Sequence, residues 1–155
     1  MATRPAAGLA DTPRLHITRR YPVRREKVWR AWTDPQALSR WFGPGEPGSV
    51  TLAQMDVREG GRYQIRFRTQ DGEEHGVSGV YQEVVEHERL SFSWAWQSTP
   101  ERVSRVSIVL KDVDGGTELD FVHDRFFDQA ARDGHERGWT ATFAKLDAVL
   151  REPGA

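Results

Sequence analysis

The chain has 155 residues, with 22 Lys plus Arg against 23 Asp plus Glu, a net charge of −1, and a composition that is 37% hydrophobic and 29% charged. That length suits one domain with a real core, and the balanced charge lacks the basic excess of a duplex-binding protein, so no nucleic-acid partner is expected. With a mean hydropathy of −0.67, no apolar run approaches the roughly 18 residues of a membrane span. The lack of cysteine excludes disulfides, thiolate metal sites, iron–sulfur clusters and a cysteine nucleophile, and it fits a reducing, cytoplasmic setting.

Residues 1–13 (MATRPAAGLADTP) carry no periodicity and read as a flexible tail, its PAAGLA stretch too short and too weakly apolar for a secretory signal. Residues 14–151 read as a single domain and 152–155 as a C-terminal tail. Arg14 to Tyr21 alternates as a strand that Pro22 ends. Val28, Trp29 and Trp32 recur at helical spacing within Arg25 to Thr33. Asp34-Pro35 stops that helix, and Pro35 can open a second short helix reaching Phe42. The Gly43 to Gly48 run is a loop whose prolines lack the amides of a phosphate cradle; it is read as a mobile gate.

The period then changes to two. Strands are predicted over Ser49–Val57, Arg62–Arg68, His75–Val85, Arg89–Trp96, Val103–Lys111 and Thr117–His123, separated by Gly-rich turns at Gly60-Gly61, Asp71-Gly72 and Asp114-Gly115-Gly116. Leu90, Phe92, Trp94 and Trp96 share one face, as do Leu119, Phe121 and His123. From Asp128 to Arg151 a helix is predicted, with Asp128 as N-cap and His135, Trp139, Phe143, Leu146 and Leu150 in one stripe. Gly134 and Gly138 weaken its first turns; close packing, a nearby ligand or simple tolerance would each account for them. The predicted fold is α+β: a curved antiparallel sheet of about seven strands wrapped around a long C-terminal helix, with two short helices after the first strand. A cavity between sheet and helix suits an apolar ligand.

Several ordered stretches carry a resemblance. They are Val28-Trp29-Arg30-Ala31-Trp32-Thr33-Asp34-Pro35, Leu38-Ser39-Arg40-Trp41-Phe42-Gly43-Pro44, Met55-Asp56-Val57-Arg58-Glu59-Gly60-Gly61-Arg62-Tyr63 and Gly79-Val80-Tyr81-Gln82-Glu83-Val84. Glu88-Arg89-Leu90-Ser91-Phe92-Ser93-Trp94, Gly116-Thr117-Glu118-Leu119 and His135-Glu136-Arg137-Gly138-Trp139 follow, with Leu146 and Leu150 closing the set. In this order, over residues 15–151, the chain resembles the activator-of-heat-shock-protein-ATPase-homologue family of the START-like (SRPBCC, Bet v 1-like, polyketide cyclase) superfamily. The resemblance implies a helix-grip fold. It leaves function open among cyclases, carriers, hormone sensors and chaperone activators, and it carries over no catalytic residue.

Trp94, Trp96, Phe121, Trp139 and Phe143 are expected to face the space between sheet and final helix, either filling it or lining a hydrophobic pocket. His123 and His135 are expected near one cavity mouth, as locally bonded rim residues or as a pair orienting a ligand's polar end. No histidine pair or cluster has metal-ligand spacing, and no cofactor motif is present. The favoured reading is a non-enzymatic protein that binds a small hydrophobic or amphipathic ligand without cofactor or metal, as a monomer or homodimer. A cyclase or dehydratase using His123 or Tyr81, and a co-chaperone acting through protein contacts, are the alternatives.

Overall fold

The computed structural model describes residues 13–43 and 49–152. The N-terminal tail up to residue 12, residues 44–48 of the gate expected over Gly43 to Gly48, and residues 153–155 lie outside the described residues. In chain order the elements are β1 (Leu15–Tyr21), α1 (Arg25–Thr33), α2 (Pro35–Ser39), β2 (Val50–Met55), β3 (Arg62–Arg68), β4 (Glu74–Val85), β5 (Arg89–Trp96), β6 (Ser104–Val113), β7 (Gly116–Asp124) and α3 (Gln129–Leu150). The strands form one seven-stranded antiparallel sheet in the order β1-β7-β6-β5-β4-β3-β2. This is the α+β arrangement that the periodicities predict and the helix-grip fold that the resemblance implies.

The short helices are set by local chemistry. The Asp34 carboxylate accepts from the backbone amides of Gln36 (2.9 Å) and Ala37 (3.4 Å), capping α2 just ahead of Pro35. α2 ends at Ser39, earlier than Phe42. The amides of Arg40 and Trp41 bond carbonyls three residues back, at 3.2 and 3.1 Å, and so tighten the turn. That turn drives Trp41 into the core, where its indole Nε1–H donates to the Ala31 carbonyl at 3.0 Å.

On the sheet, alternation decides the faces. Leu90, Ile108 and Phe121 lie side by side across β5, β6 and β7, as do Phe92, Val106 and His123. The β4–β5 register slips between Tyr81 and Glu83. Tyr81 remains inward there, 3% exposed, against the rings of Tyr63 (5.6 Å) and Phe92 (5.9 Å).

α3 is capped by Asp128, whose side chain accepts from the Ala131 amide at 2.8 Å. Its far end is tied to β1. The Tyr21 hydroxyl donates to Asp147 Oδ1 at 2.7 Å, Arg19 Nε donates to Oδ2 at 3.2 Å, and Arg151 Nη2 donates to the Arg20 carbonyl at 2.8 Å. Burial and the Asp147 carboxylate push the Tyr21 phenol well up, so it stays a donor. Among the described residues no helix is long and apolar enough to cross a membrane.

Asp147→Ala leaves the buried Tyr21 hydroxyl without its acceptor and should cost about 1–3 kcal/mol, read as a lower urea midpoint. Asp147→Asn, which keeps an acceptor, should recover part of it. An unchanged midpoint in the alanine variant would show that this tie does not hold the helix.

Candidate functional site

α3 meets the sheet with two unlike halves. Its C-terminal half carries Trp139, Phe143, Leu146 and Leu150, all at most 4% exposed, and these fill the space they face. Phe143 packs on Phe121 at 5.2 Å and Trp139 on Phe121 at 4.6 Å, with Trp32 of α1 closing over both. The N-terminal half presents Ala131, Gly134, His135 and Gly138 instead. Across from them stand Phe67 and His75 of β3 and β4 and Trp94 and Trp96 of β5, with Phe42 and Gly43 after α2 as a third wall. Between them lies a cavity of about 410 Å³. Trp139 and Thr142 also line it, and Thr69 and Ser98 lie toward the β3–β4 and β5–β6 turns.

The two helix glycines are not there for packing. A Cβ on Gly138 would meet nothing within 4 Å, and one on Gly134 would meet only the Arg137 guanidinium, at 3.8 Å. Each costs the helix about 1 kcal/mol relative to alanine. What the missing side chains leave is space.

The two histidines are the acceptors for two of the indoles. The Trp139 Nε1–H donates to His123 Nδ1 at 3.1 Å. His123 must then carry its proton on Nε2, which lies 2.7 Å from Ser104 Oγ. The Ser104 hydroxyl in turn donates to the Trp94 carbonyl at 3.3 Å. His135 has the opposite tautomer: Nδ1–H donates to the Ala131 carbonyl at 2.7 Å, and Nε2 accepts from the Trp96 Nε1–H at 2.9 Å. The two imidazoles stand nearly perpendicular, 5.0 Å apart, and Phe126 covers both, at 4.3 and 5.0 Å. Burial pushes the His123 pKa well below 6.5, with His135 adding to the effect, and burial also lowers that of His135. Both rings are therefore neutral. The Trp94 Nε1 is buried with no partner.

Of the residues singled out in the sequence, Trp94, Trp96, His135 and Trp139 line the cavity. Phe121, His123 and Phe143 do not; they are fully buried behind it. They share the inward faces of β7 and α3, but Trp139 stands between Phe121 and Trp94, and His123 packs against the rings of Trp94 (5.4 Å) and His135 (5.0 Å). Tyr81 likewise sits in the core, outside the lining. Sequence reasoning missed Phe42, Phe67, His75 and Thr142. Phe67 is visible as an inward residue on an alternating strand, and Phe67↔His75 is a cross-strand pair, but only the curvature of the sheet brings them to α3. Among the described residues no group of three or more histidines and carboxylates is arranged to hold a metal ion. A second depression of about 340 Å³, between α1, α2 and the end of α3, is bordered by Arg30 and Arg40, which pair with Asp34 and Glu152.

A family model described as Activator of Hsp90 ATPase homolog 1-like protein matches residues 22–151. Solved structures are similar throughout. A protein from Chromobacterium violaceum superposes with a TM-score of 0.80 at 24% identity, covering 91% of this chain and 99% of that one. One from Rhodobacter sphaeroides gives 0.75 at 26% identity, covering 89% and 92%. One from Mycobacterium smegmatis gives 0.77 at 25% identity, covering 92% and 93%. No curated protein matches the sequence significantly.

The buried neutral imidazoles set a pH dependence. In the folded chain the His123 pKa lies below the ordinary 6.5, so the unfolded chain takes up its proton first. Stability is whole above about pH 6.5 and falls as the pH drops toward the folded-state pKa. As the pH falls below about 6.5, His123 should account for a progressive loss of stability. His123→Gln, whose amide can accept from Trp139 and donate to Ser104, should flatten the profile of urea midpoint against pH. An identical slope in the variant would remove His123 as its origin.

Proposed function

The chain belongs to the Activator of Hsp90 ATPase homolog 1-like family, and from that premise we propose that it is a binding protein whose cavity takes a small hydrophobic or amphipathic molecule, without a cofactor. The observation that carries this reading is the bare face of α3. A helix that only had to cover a sheet would gain stability from side chains at positions 134 and 138, where there is room for them. Glycine at both keeps that room open.

The volume of about 410 Å³ falls in the range of small-molecule sites. The rings of Phe42, Phe67, Trp94, Trp96 and Trp139 would supply non-directional affinity. Among the described residues the lining includes no Lys, Arg, Asp or Glu, which favours an uncharged occupant. Residues 14–151 then form one START-like binding domain, and we place it in the cytoplasm.

A cyclase or dehydratase reading has less support. Both ring nitrogens of His123 are engaged behind the cavity wall, and Tyr81 lies outside the lining. A chaperone-activating role rests on the family's description alone.

The test is a thermal-shift screen with aromatic and amphipathic compounds on three proteins. The wild type should show saturable stabilisation, about 2.7 kcal/mol at a hundred times Kd. Gly138→Ala should be more stable than wild type by about 1 kcal/mol. Gly138→Leu should fold but lose the ligand-induced shift, because its side chain occupies the cavity. A flat wild-type panel, or a leucine variant that binds as well as wild type, overturns the reading.

A further inference from the structure

Resting on that reading of the cavity, we infer that the Thr142 hydroxyl sets its specificity, and that the ligand is a neutral, largely apolar molecule with a carbonyl oxygen that accepts from it. Thr142 follows Trp139 on the inward stripe of α3 and lines the cavity, yet the residue is only 4% exposed. Among the described residues its Oγ1 has no hydrogen-bond partner. Nor is it sealed in the wall: the unpartnered side-chain atoms that are closed off from open space belong to Trp32, Ser49, Arg66 and Trp94. The opening left to the Thr142 hydroxyl is the cavity.

A helical threonine or serine has one acceptor within easy reach, the carbonyl four residues back. Thr33 and Ser39 use it, donating to the carbonyls of Trp29 at 2.8 Å and Pro35 at 2.7 Å. Thr142 forgoes that bond. Four residues back from it stands Gly138, and helical side chains lean toward the N-terminal end of their helix. The Thr142 side chain therefore leans toward the place where a Cβ on Gly138 would meet nothing within 4 Å. Its hydroxyl borders the room that the glycine leaves.

The other polar groups of the lining have partners or solvent. Trp96 and His135 satisfy each other, and Thr69 donates to Asp71. His75, its side chain 40% exposed, and Ser98, also exposed, stand toward the rim. What the Thr142 hydroxyl lacks first is an acceptor for its proton, since buried donors are left orphaned more rarely than acceptors. A carbonyl oxygen supplies it. A carboxylate would bring a charge into a lining that, among the described residues, has no Lys or Arg to balance it.

Equilibrium dialysis of the full-length protein with 2-acetylnaphthalene and 2-isopropenylnaphthalene tests this; the second probe has the same shape, with CH₂ in place of the carbonyl oxygen. Wild type, Thr142→Val and Thr142→Ser are compared, so that differences in probe hydration cancel between proteins. The ratio of ketone to alkene affinity should fall about fivefold in Thr142→Val, which keeps the shape and loses the hydroxyl. In Thr142→Ser, which keeps the hydroxyl, it should stay within about twofold of wild type. Without ligand, Thr142→Val should unfold at a urea midpoint no lower than wild type, because the hydroxyl it removes holds nothing together. A lower midpoint would give that hydroxyl a structural bond and overturn the inference. If both probes bind and the ratio is the same in all three proteins, the role of Thr142 is wrong and the cavity reading stands. If neither probe binds the wild type, the cavity reading fails and the role of Thr142 fails with it.

Discussion

Of the indole N–H groups inside the fold, those of Trp96 and Trp139 find their acceptors on imidazoles, which must stay neutral to provide them. Trp139 donates to His123 and Trp96 donates to His135, while the proton of each imidazole goes to Ser104 or to the Ala131 carbonyl. A second proton on either ring would face an indole N–H. Satisfied in this way, the network holds the first turns of α3 against β5 and β7, although that stretch of helix has little apolar surface with which to pack. The seal above it follows from the same need. Arg125 takes a left-handed conformation, φ 64°, between β7 and α3, and the next residue, Phe126, sets its ring at a tilt over both His123 and His135.

Along α3 the two tasks of the helix are separated by side-chain size. From Trp139 onward large residues fill the grip, and the Tyr21–Asp147 and Arg19–Asp147 bonds fasten it to β1. Before Trp139 the inward residues are alanine, glycine, histidine and glycine. The filled half supplies the burial that holds the domain together. The open half can then give up the helix propensity that two glycines cost. Trp139 sits at the boundary, with one ring neighbour in the core (Phe121, 4.6 Å) and another in the cavity wall (Trp94, 5.2 Å).

The elements were legible in the sequence because each leaves a period: two for the strands, three and four for α3. The cap at Asp34 and the turns were legible from single residues. Depth was not. The stripe His135, Trp139, Phe143 reads as one face, and it is one face, yet His135 meets open space and Phe143 meets Phe121. A helical wheel shows direction and not what stands opposite. His123 and Phe121 fell behind the cavity for the same reason, since alternation puts them inward but leaves their strand's place in the sheet open. Phe42 was hidden by the tight turn that ends α2, and Phe67 and His75 by sheet curvature. Gly134 and Gly138 were the clearest sequence trace of the cavity, but glycine alone cannot separate space from close packing.

The arrangement of tryptophans has an optical consequence. Five of the six form an unbroken chain of rings: Trp41 to Trp32 at 4.6 Å, Trp32 to Trp139 at 6.1 Å, Trp139 to Trp94 at 5.2 Å and Trp94 to Trp96 at 5.5 Å. Trp29 packs instead on His87. At such separations excited states are shared and migrate, so light absorbed deep in the core at Trp41 can be emitted from an indole in the cavity wall. The near-ultraviolet spectrum therefore belongs to the assembly and not to its members. Replacing one ring would alter the signal of the others, and a molecule resting on Trp94 or Trp96 would be sensed by chromophores it never touches.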